Sequence, residues 1–199
     1  PTFRHELYPP YKGNRPPVPQ QFLAQCDDLF ETLNRLNIPF YQVPKYEADD
    51  LIGTVASQTS EYGVDTLIFT SDLDLLQLVD SLVEVEVFSQ YGPRRLFDEN
   101  AAIQRFGGIS PKYIPDFKGL AGDPSDNLPG VKGIGKIAAT AILRAKLNLE
   151  GVYDDLDSIS ELPIRGAKRV TGLLRDNECE AFKMRGLATV VKDVPMDID

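Results

Sequence analysis

The sequence contains few of the side chains that carry nucleophilic or proton-transfer chemistry in many hydrolases. It has a single histidine, His5, and two cysteines, Cys26 and Cys179, which lie far apart without CxxC spacing. No Ser/His/Asp or Cys/His nucleophile can be assembled from this set. We interpret the cysteines as buried or inert thiols of a reducing cytosol, and His5 as incidental rather than as a metal ligand or general base.

Long apolar stretches are also missing. No apolar run approaches the roughly 18 residues that a membrane span needs, and no segment resembles a signal peptide. The 199 residues are 42% hydrophobic and 26% charged, which is typical of a folded globular chain with one ordinary domain and a small helical addition. Because the chain begins at Pro1 rather than at Met, we expect it to be part of a longer protein.

What the sequence does have is acidic residues in three tight clusters. Their seven carboxylates are Glu47, Asp49 and Asp50, then Asp72 and Asp74, then Asp123 and Asp126. Any one cluster by itself is typical of a helix start, a turn or a loop cap. Together they are better explained by bound cations, because closely packed carboxylates repel one another and hard ions such as Mg²⁺ or Mn²⁺ prefer oxygen ligands. We therefore predict an acidic metal-binding pocket.

The net charge of −9 by itself disfavours a nucleic-acid partner, but the charge is unevenly distributed. Residues 16–111 contain 15 acidic and 5 basic side chains, whereas residues 1–15 carry a net +2 and residues 112–146 a net +3. Binding of phosphate groups depends on local basic surface more than on overall charge. An acidic metal pocket flanked by two basic segments is typical of an enzyme that acts on phosphodiesters.

Alternating strand and helix patterns predict an α/β fold with a central, mostly parallel sheet and helices on both faces. The elements predicted in the first half are an amphipathic helix from Pro19 to about Leu36, a short strand at Ile38–Val43, a helix from Glu47 to about Tyr62, a buried strand at Thr66–Thr70, a short helix at Asp74–Val79, a strand at Val83–Ser89 and a turn at Tyr91-Gly92-Pro93. Because functional groups collect at the carboxyl ends of parallel strands, we expect the first two acidic clusters to meet at one edge of the sheet.

After about residue 98 the strand patterns stop. Helices are predicted over roughly 98–106, 111–120, 136–146, 150–156 and 166–190. We therefore divide the chain into an α/β core at 1–98, with a basic segment at 1–20, and a helical region at 99–199.

The helical region contains a glycine-rich hairpin near 120–146. In the stretch Val131-Lys132-Gly133-Ile134-Gly135-Lys136, two glycines leave backbone groups open to a phosphate or a monovalent cation, and two lysines supply positive charge. A lone GxG is often only a turn. Followed by an alanine-rich helix, this one is interpreted as a helix-hairpin-helix that binds the DNA backbone without reading its sequence.

The first 20 residues mix aromatic and basic side chains without long apolar periodicity. They include Arg4, Tyr11, Lys12 and Arg15. An irregular or partly helical segment of this composition suits a phosphate backbone and unstacked bases. The alternative is an ordinary solvated terminus.

Four motifs together resemble the 5′-nuclease domains of the flap-endonuclease family, such as the one in bacterial DNA polymerase I. They are Phe3-Arg4-His5-Glu6 with Tyr11, Lys12 and Arg15; Tyr46–Asp50; Thr70–Asp74; and the long motif Gly122–Gly135. They keep the family's order and spacing from residue 3 to about 145, and the likeness is looser beyond that point. The resemblance implies a PIN/flap-endonuclease-like fold, with residues 1–20 at an arch through which a 5′ single strand passes.

The resemblance also implies an activity and its site residues. The activity is that of a metal-dependent 5′–3′ exonuclease and flap endonuclease, which acts on DNA with 5′ flaps, nicks or forked ends in primer removal and repair. Two Mg²⁺ or Mn²⁺ ions are implied, one held by Glu47, Asp49, Asp50 and Asp72, and the other by Asp74, Asp123 and Asp126. Catalytic roles fall on Arg4, Tyr11, Lys12 and Arg15, of which Lys12 and Arg15 contact the scissile phosphate. The DNA-binding residues are Lys132, Gly133, Ile134, Gly135 and Lys136, with a K⁺ ion at the hairpin.

Two alternatives to an active nuclease remain open. Family members carry two further aspartates before the first motif, so we expect this chain to lack a strand and part of the metal ligation. It is then a non-catalytic DNA-binding fragment that keeps the hairpin and the basic segment. A single-strand ribonuclease on a related fold is a weaker alternative, because the hairpin argues against it. The resemblance to the 5′-nuclease domain implies a cytoplasmic, nucleoid-associated bacterial protein. It also leads us to expect a polymerase domain in the same parent chain.

Overall fold

A mixed three-stranded sheet forms in the first half of the chain. The computed structural model, which describes residues 1–89 and 92–197, gives β1 at Thr66–Thr70, β2 at Val83–Ser89 and β3 at Gly92–Phe97, in the order β1-β2-β3. β1 pairs with β2 in parallel, and β2 pairs with β3 antiparallel. The predicted α/β class and the predicted bounds of β1 and β2 are confirmed.

The third strand was not predicted. Its sequence begins with Gly92-Pro93 and continues with two arginines, so it lacks the apolar alternation that indicates a strand. Gly92 and Pro93 were predicted to turn the chain and instead begin β3, whereas Tyr91 of the same predicted turn lies outside the described residues. β3 is held by backbone hydrogen bonds to β2, with which it pairs antiparallel, and the local sequence pattern gives no sign of this pairing.

The short strand predicted at Ile38–Val43 is wrong, because these residues form no strand. Pro39 lies inside the segment and Pro44 follows it, and neither has an N–H to donate to a neighbouring strand. The N–H of Ile38 instead donates to the carbonyl oxygen of Leu33 at 2.9 Å, which closes the end of the preceding helix.

β1 is also less buried than predicted. Ile68 is buried, but Leu67 and Phe69 on the other face are 58% and 51% exposed. The strand therefore buries one face only among the described residues.

The α-helices account for most of the remaining regular secondary structure. They are α1 (Phe3–Leu7), α2 (Gln20–Arg35), α3 (Ala48–Glu61), α4 (Glu99–Arg105), α5 (Ile114–Ala121), α6 (Lys136–Lys146), α7 (Leu149–Asp154), α8 (Ala167–Asp176) and α9 (Glu178–Ala188). Short 3₁₀ helices lie at Leu73–Leu78, Pro111–Tyr113 and Leu156–Glu161. The bounds predicted for α6 are confirmed, and those of α4 differ by one residue at each end.

One predicted helix is divided into two. The segment 166–190 forms α8 and α9, separated at Asn177. The Asn177 side chain donates to the carbonyl oxygen of Leu173 at 2.8 Å, and this bond satisfies an unpaired carbonyl at the end of α8. Apolar periodicity continues across the break, which explains why the sequence alone predicted one helix.

Two apolar clusters make up most of the core. One packs Leu75, Leu76 and Val85 from the sheet region against neighbouring helices. The other packs helical residues such as Leu120 and Ile142 in the second half. The predicted amphipathic helix α2 is present but joins neither cluster, and its Phe22 is 56% exposed.

Three structural boundaries converge on one acidic region: the start of α3, the carboxyl end of β1 and the loop between α5 and α6.

Within the described ranges, no helix is both long and apolar enough to cross a membrane.

Candidate metal centre and nucleic-acid interface

The loop at 123–128 is shaped by close backbone contacts. Asp123 and Leu128 exchange two backbone hydrogen bonds, at 2.7 and 2.8 Å. Gly122 has a φ of 75° and Gly130 a φ of 60°, and a Cβ on Gly130 would collide with the backbone nitrogen of Gly122. The two glycines therefore allow the chain to double back and present Asp123 and Asp126 on one side.

Residues 8–15 lie against this loop. The side-chain amide of Asn14 donates to the carbonyl oxygen of Pro124 at 2.7 Å, and that of Asn127 donates to the carbonyl oxygen of Pro10 at 2.7 Å. Lys12 adopts a left-handed backbone conformation with a φ of 52°. The N-terminal segment is therefore fixed to the acidic loop rather than solvated as a free end.

Three predicted catalytic side chains of this segment meet two predicted metal ligands. Lys12 Nζ lies 2.8 Å from Glu47 Oε2 and 3.9 Å from Asp126 Oδ1, and an Nη of Arg15 lies 2.8 Å from the same oxygen of Asp126. The buried Tyr11 hydroxyl lies 3.1 Å from carboxylate oxygens of both Glu47 and Asp126. Burial and the charges of Asp126 and Glu47 raise the pKa of Tyr11 far above its ordinary value, so it stays a neutral hydrogen-bond donor.

Arg4 and Asp50 form a separate buried pair. Two nitrogens of the guanidinium donate to the two carboxylate oxygens at 2.7 Å each, and the exposed fractions of the side chains are 3% and 0%. Asp50 also accepts the backbone N–H of Glu47 and Val191, at 3.0 and 2.9 Å. Burial alone would raise the pKa of Asp50, but these hydrogen bonds outweigh it and lower the pKa.

This pair places the predicted catalytic residue Arg4 and the predicted metal ligand Asp50 in one buried contact. All oxygen lone pairs of Asp50 are used inside the protein, so none is free for a metal ion. Arg4 also donates to the carbonyl oxygens of Leu187 and Thr189, at 2.9 and 2.8 Å, so its guanidinium is not free for a phosphate. Both residues instead tie α1 and α3 to the end of α9.

The predicted second group of ligands is brought together. Asp74, Asp123 and Asp126 each offer an oxygen, and these oxygens lie within 4.8 Å of one another, which suits a hard cation. In the part of the chain that the structure describes, no comparable group of three forms from the other four predicted ligands. Asp50 is paired with Arg4, and Glu47 is engaged by Lys12 and Tyr11.

The remaining carboxylates crowd one another beside this group. Burial raises the pKa of Asp49 to about 6, with a further contribution from the negative charge of Asp72. Asp72 caps the 3₁₀ helix at Leu73–Leu78 by accepting the N–H of Asp74 at 2.9 Å. The pKa of Asp74 is also raised, by burial first and by Asp72 and Asp123 against the opposing effect of a lysine. A bound cation would relieve this repulsion.

The lysine is Lys118 of α5, which the sequence analysis did not single out. Its Nζ contacts Asp74 Oδ1 and lies 2.6 Å from Asp123 Oδ2, and the residue is 7% exposed. Although burial alone would lower the pKa of this ammonium, the two carboxylates raise it. The sequence feature that could have identified Lys118 as part of the site is its position five residues before Asp123, on a predicted helix with an apolar face.

The hairpin presents its polar residues outward. Lys132, Gly133, Gly135 and Lys136 are exposed, and Gly133 has a φ of 97°. Ile134 is 4% exposed and packs into the helical core. Of the predicted DNA-binding residues, Ile134 is therefore the one whose side chain anchors the hairpin in the core.

Two family models match the chain almost from end to end. Residues 1–107 match the 5′-3′ exonuclease N-terminal resolvase-like domain, and residues 109–199 match the 5′-3′ exonuclease C-terminal SAM fold. This chain belongs to the 5′-3′ exonuclease family. The family predicted from the motifs is confirmed.

Curated relatives of this exonuclease-family chain are longer than it is. DNA polymerase I of Chloroflexus aurantiacus is 41% identical over 201 residues, which cover 100% of this chain and 21% of that protein. The 5′-3′ exonuclease of Buchnera aphidicola subsp. Baizongia pistaciae is 36% identical over 197 residues, covering 99% of this chain and 64% of that protein. The chain thus spans about a fifth of the first relative and under two thirds of the second.

Solved structures share the exonuclease fold. One is the bacteriophage T5 D15 flap endonuclease in a pseudo-enzyme-product complex with DNA and metal ions, with a TM-score of 0.76 and 24% identity over 94% of this chain and 69% of that chain. Another is the T5 5′-exonuclease with bound zinc, with a TM-score of 0.72 and 23% identity over the same shares. At these identities the likeness shows the fold alone, and it confirms the predicted fold class.

Proposed function

We propose that this chain is the 5′-nuclease part of a longer protein that hydrolyses DNA phosphodiesters at 5′ flaps, nicks and forked ends, in primer removal and repair. The observation that carries the proposal is the group Asp74, Asp123 and Asp126, with mutually close oxygens, beside the basic side chains of Lys12 and Arg15. Membership of the 5′-3′ exonuclease family supports this reaction class. The polymerase relatives, of which this chain spans about a fifth, support a polymerase domain in the parent.

We infer that two divalent ions, Mg²⁺ or Mn²⁺, are the cofactors. Asp74, Asp123 and Asp126 fit one ion. The candidates for the other are Glu47, Asp49 and Asp72, because the charges of Asp72 and Glu47 both act on Asp49. Burial is the main cause of the raised pKa of Asp49 and of Asp74, and the negative charge of neighbouring aspartates adds to it, so a bound cation would stabilise the charged form of both carboxylates. When bound, such ions activate water as a nucleophile and neutralise charge on the phosphate and the leaving oxygen.

Lys12 and Arg15 act on the phosphate from the N-terminal segment. Their ion pairs with Glu47 and Asp126 hold both positive charges beside the carboxylates that face the cation. Arg15 is half exposed, so it can exchange Asp126 for a phosphate, which a guanidinium binds through two parallel hydrogen bonds. Preorganised positive charge at this position stabilises the additional negative charge of the transition state. Tyr11 positions Glu47 and Asp126 and exchanges no proton.

The hairpin is the second contact with DNA. Lys132 and Lys136 are exposed on either side of Gly133 and Gly135, and α6 begins at Lys136, so the partial positive charge of its N-terminus faces the same surface. This arrangement suits phosphates of a duplex, and the backbone at Gly133 and Gly135 would hold a K⁺ ion beside them. Contacts of this kind hold the duplex without reading its bases.

A second candidate function is that of a DNA-binding module without catalysis in this chain. It is favoured by the contacts of Glu47 Oε2 with Lys12 and Tyr11 and of Asp50 with Arg4, because these carboxylate oxygens already have partners within the protein. The hairpin and the basic segment would still bind DNA.

Cleavage of a 5′-flap duplex by the full-length parent and by this 199-residue chain separates the two candidates. For the nuclease, we expect cleavage by the parent that stops in EDTA and is abolished in Asp74→Asn/Asp123→Asn. Asp157→Asn, an exposed aspartate on the far helical region, is the matched control and should cleave normally. Cleavage that survives EDTA or the double substitution would refute the nuclease mechanism. If only the parent cleaves while both bind, this chain is the binding module, and a preference for RNA without duplex would favour the ribonuclease alternative.

A further inference from the structure

The buried ammonium of Lys118 lies where a cation would lie. It emerges from α5, contacts Asp74 Oδ1, and lies 2.6 Å from Asp123 Oδ2. These are two of the three carboxylates whose oxygens lie within 4.8 Å of one another. The third, Asp126, is turned toward Arg15 and Tyr11.

A lysine this deeply buried requires compensation. Its side chain is 9% exposed, and removing an ammonium from water is strongly unfavourable unless opposite charges surround it. Asp74 and Asp123 provide that compensation, and in return the ammonium offsets the repulsion between them. Without Lys118 or another cation, two partly buried carboxylates would face each other uncompensated.

A divalent ion and the ammonium compete for these two carboxylates. An ion that binds Asp74 and Asp123 withdraws negative charge from the oxygens that contact Nζ, and the two positive charges repel at short distance. Lys118 lines an open cavity of about 550 Å³ that is also bordered by Arg105 and Lys136, so its side chain has room to move away from the two carboxylates.

We propose that Lys118 is the resident counter-ion of the Asp74/Asp123 pair in the metal-free protein, and that a divalent cation binds there by exchanging with its ammonium. The proposal rests on the proposed function, since it concerns one of the two ion sites. Lys118 keeps the carboxylates together before the ion arrives and weakens the binding of that ion. It is a positioning residue that preserves an assembled site at low ion concentration.

The test compares Lys118→Met with wild type and with Lys112→Met, which removes an exposed lysine from the 3₁₀ helix just before α5. Mn²⁺ binding is measured by calorimetry, and thermal unfolding is measured in EDTA and in saturating Mn²⁺. Because exchange breaks the two close ion pairs of Lys118, Lys118→Met should bind Mn²⁺ on the order of 10–100-fold more tightly. Its melting temperature should fall in EDTA and rise more than that of wild type when Mn²⁺ is added. Lys112→Met should match wild type in each measurement.

Unchanged or weaker Mn²⁺ binding by Lys118→Met would overturn the proposal. If that variant folds only with Mn²⁺, the proposal is supported, because the ion has replaced the missing counter-ion. If it folds under neither condition, Lys118→Arg decides: the retained charge should leave Mn²⁺ binding no tighter than in wild type, and tighter binding would refute the exchange. A wild-type protein whose Mn²⁺ binding is unaffected by Asp74→Asn would instead contradict the ion site and the proposed function with it.

Discussion

Replacing Asp50 with asparagine should destabilise the protein strongly without removing a metal ligand. The carboxylate is fully buried and accepts four hydrogen bonds, two from Arg4 at 2.7 Å and two from backbone N–H groups. An asparagine amide keeps the shape but loses the charge, and its NH₂ group points donors at the donors of Arg4. The guanidinium, 3% exposed, is then left as an unpaired buried charge.

The expected loss is about 3–5 kcal/mol of unfolding free energy, the range found when one partner of a buried ion pair is removed. Asp157→Asn is the control, because its ion pair with Arg175 is exposed at both ends and should contribute under about 1 kcal/mol. Replacing both Arg4 and Asp50 with leucine removes the charges but leaves backbone groups at Glu47, Val191, Leu187 and Thr189 without partners, so full stability should not return.

Urea unfolding in EDTA measures the effect, and Mn²⁺ calorimetry on the folded variant separates the two possible roles of Asp50. A structural role predicts the large loss of stability in EDTA with unchanged Mn²⁺ affinity. A loss as small as that of Asp157→Asn, or weakened Mn²⁺ binding at unchanged stability, would refute the reasoning and restore Asp50 as a ligand.

The same pair sets a pH dependence. The folded-state pKa of Asp50 is lowered, so its contribution to stability is fully present above its unfolded value of about 3.9 and is lost as pH falls through the lower folded value. The difference in unfolding free energy between wild type and Asp50→Asn should therefore be constant above about pH 5 and shrink below about pH 4. A difference that grows toward acid pH would contradict the assigned direction.

Three further predictions concern the phosphate contacts and the acidic loop. Lys12→Ala in the active parent should slow flap cleavage by roughly 10²–10³-fold while weakening flap binding much less, in single-turnover and equilibrium-binding assays; equal losses would make Lys12 an ordinary backbone contact. Lys132→Ala and Lys136→Ala should each lower the slope of log K against log salt by about 0.9 and weaken all duplex sequences alike, and a sequence-dependent loss would exclude the hairpin as a phosphate contact. Gly130→Ala should lower the unfolding free energy by about 2 kcal/mol or more, because the φ of Gly130 is positive and an added Cβ would collide with backbone atoms. Gly172→Ala, which adds a Cβ in open space on α8, should not lower the unfolding free energy measured in urea.

Local patterns predicted the parts of the fold that depend on neighbours in sequence. The bounds of β1, β2 and α6 follow from apolar periodicity, and Asp72 caps a short helix as its position after a strand indicates. The hairpin is also local, since glycines and lysines within six residues define it. The prediction failed where strand formation depends on hydrogen bonds between segments. Ile38–Val43 forms no strand because Pro39 and Pro44 have no N–H to donate to a neighbouring strand, whereas β3 forms because it pairs with β2.

By itself, the sequence determined which acidic and basic residues are available and which short segments carry them, because spacing along a helix, strand or turn is fixed by backbone geometry. Only the tertiary structure decided how those charges are paired. Arg4 and Asp50 lie 46 residues apart and satisfy each other in the core, while Lys118 reaches carboxylates from two other segments. The same carboxylate is a free ligand or a buried structural anchor depending on which cation the fold brings to it, and that choice depends on burial and distance, which no local pattern encodes.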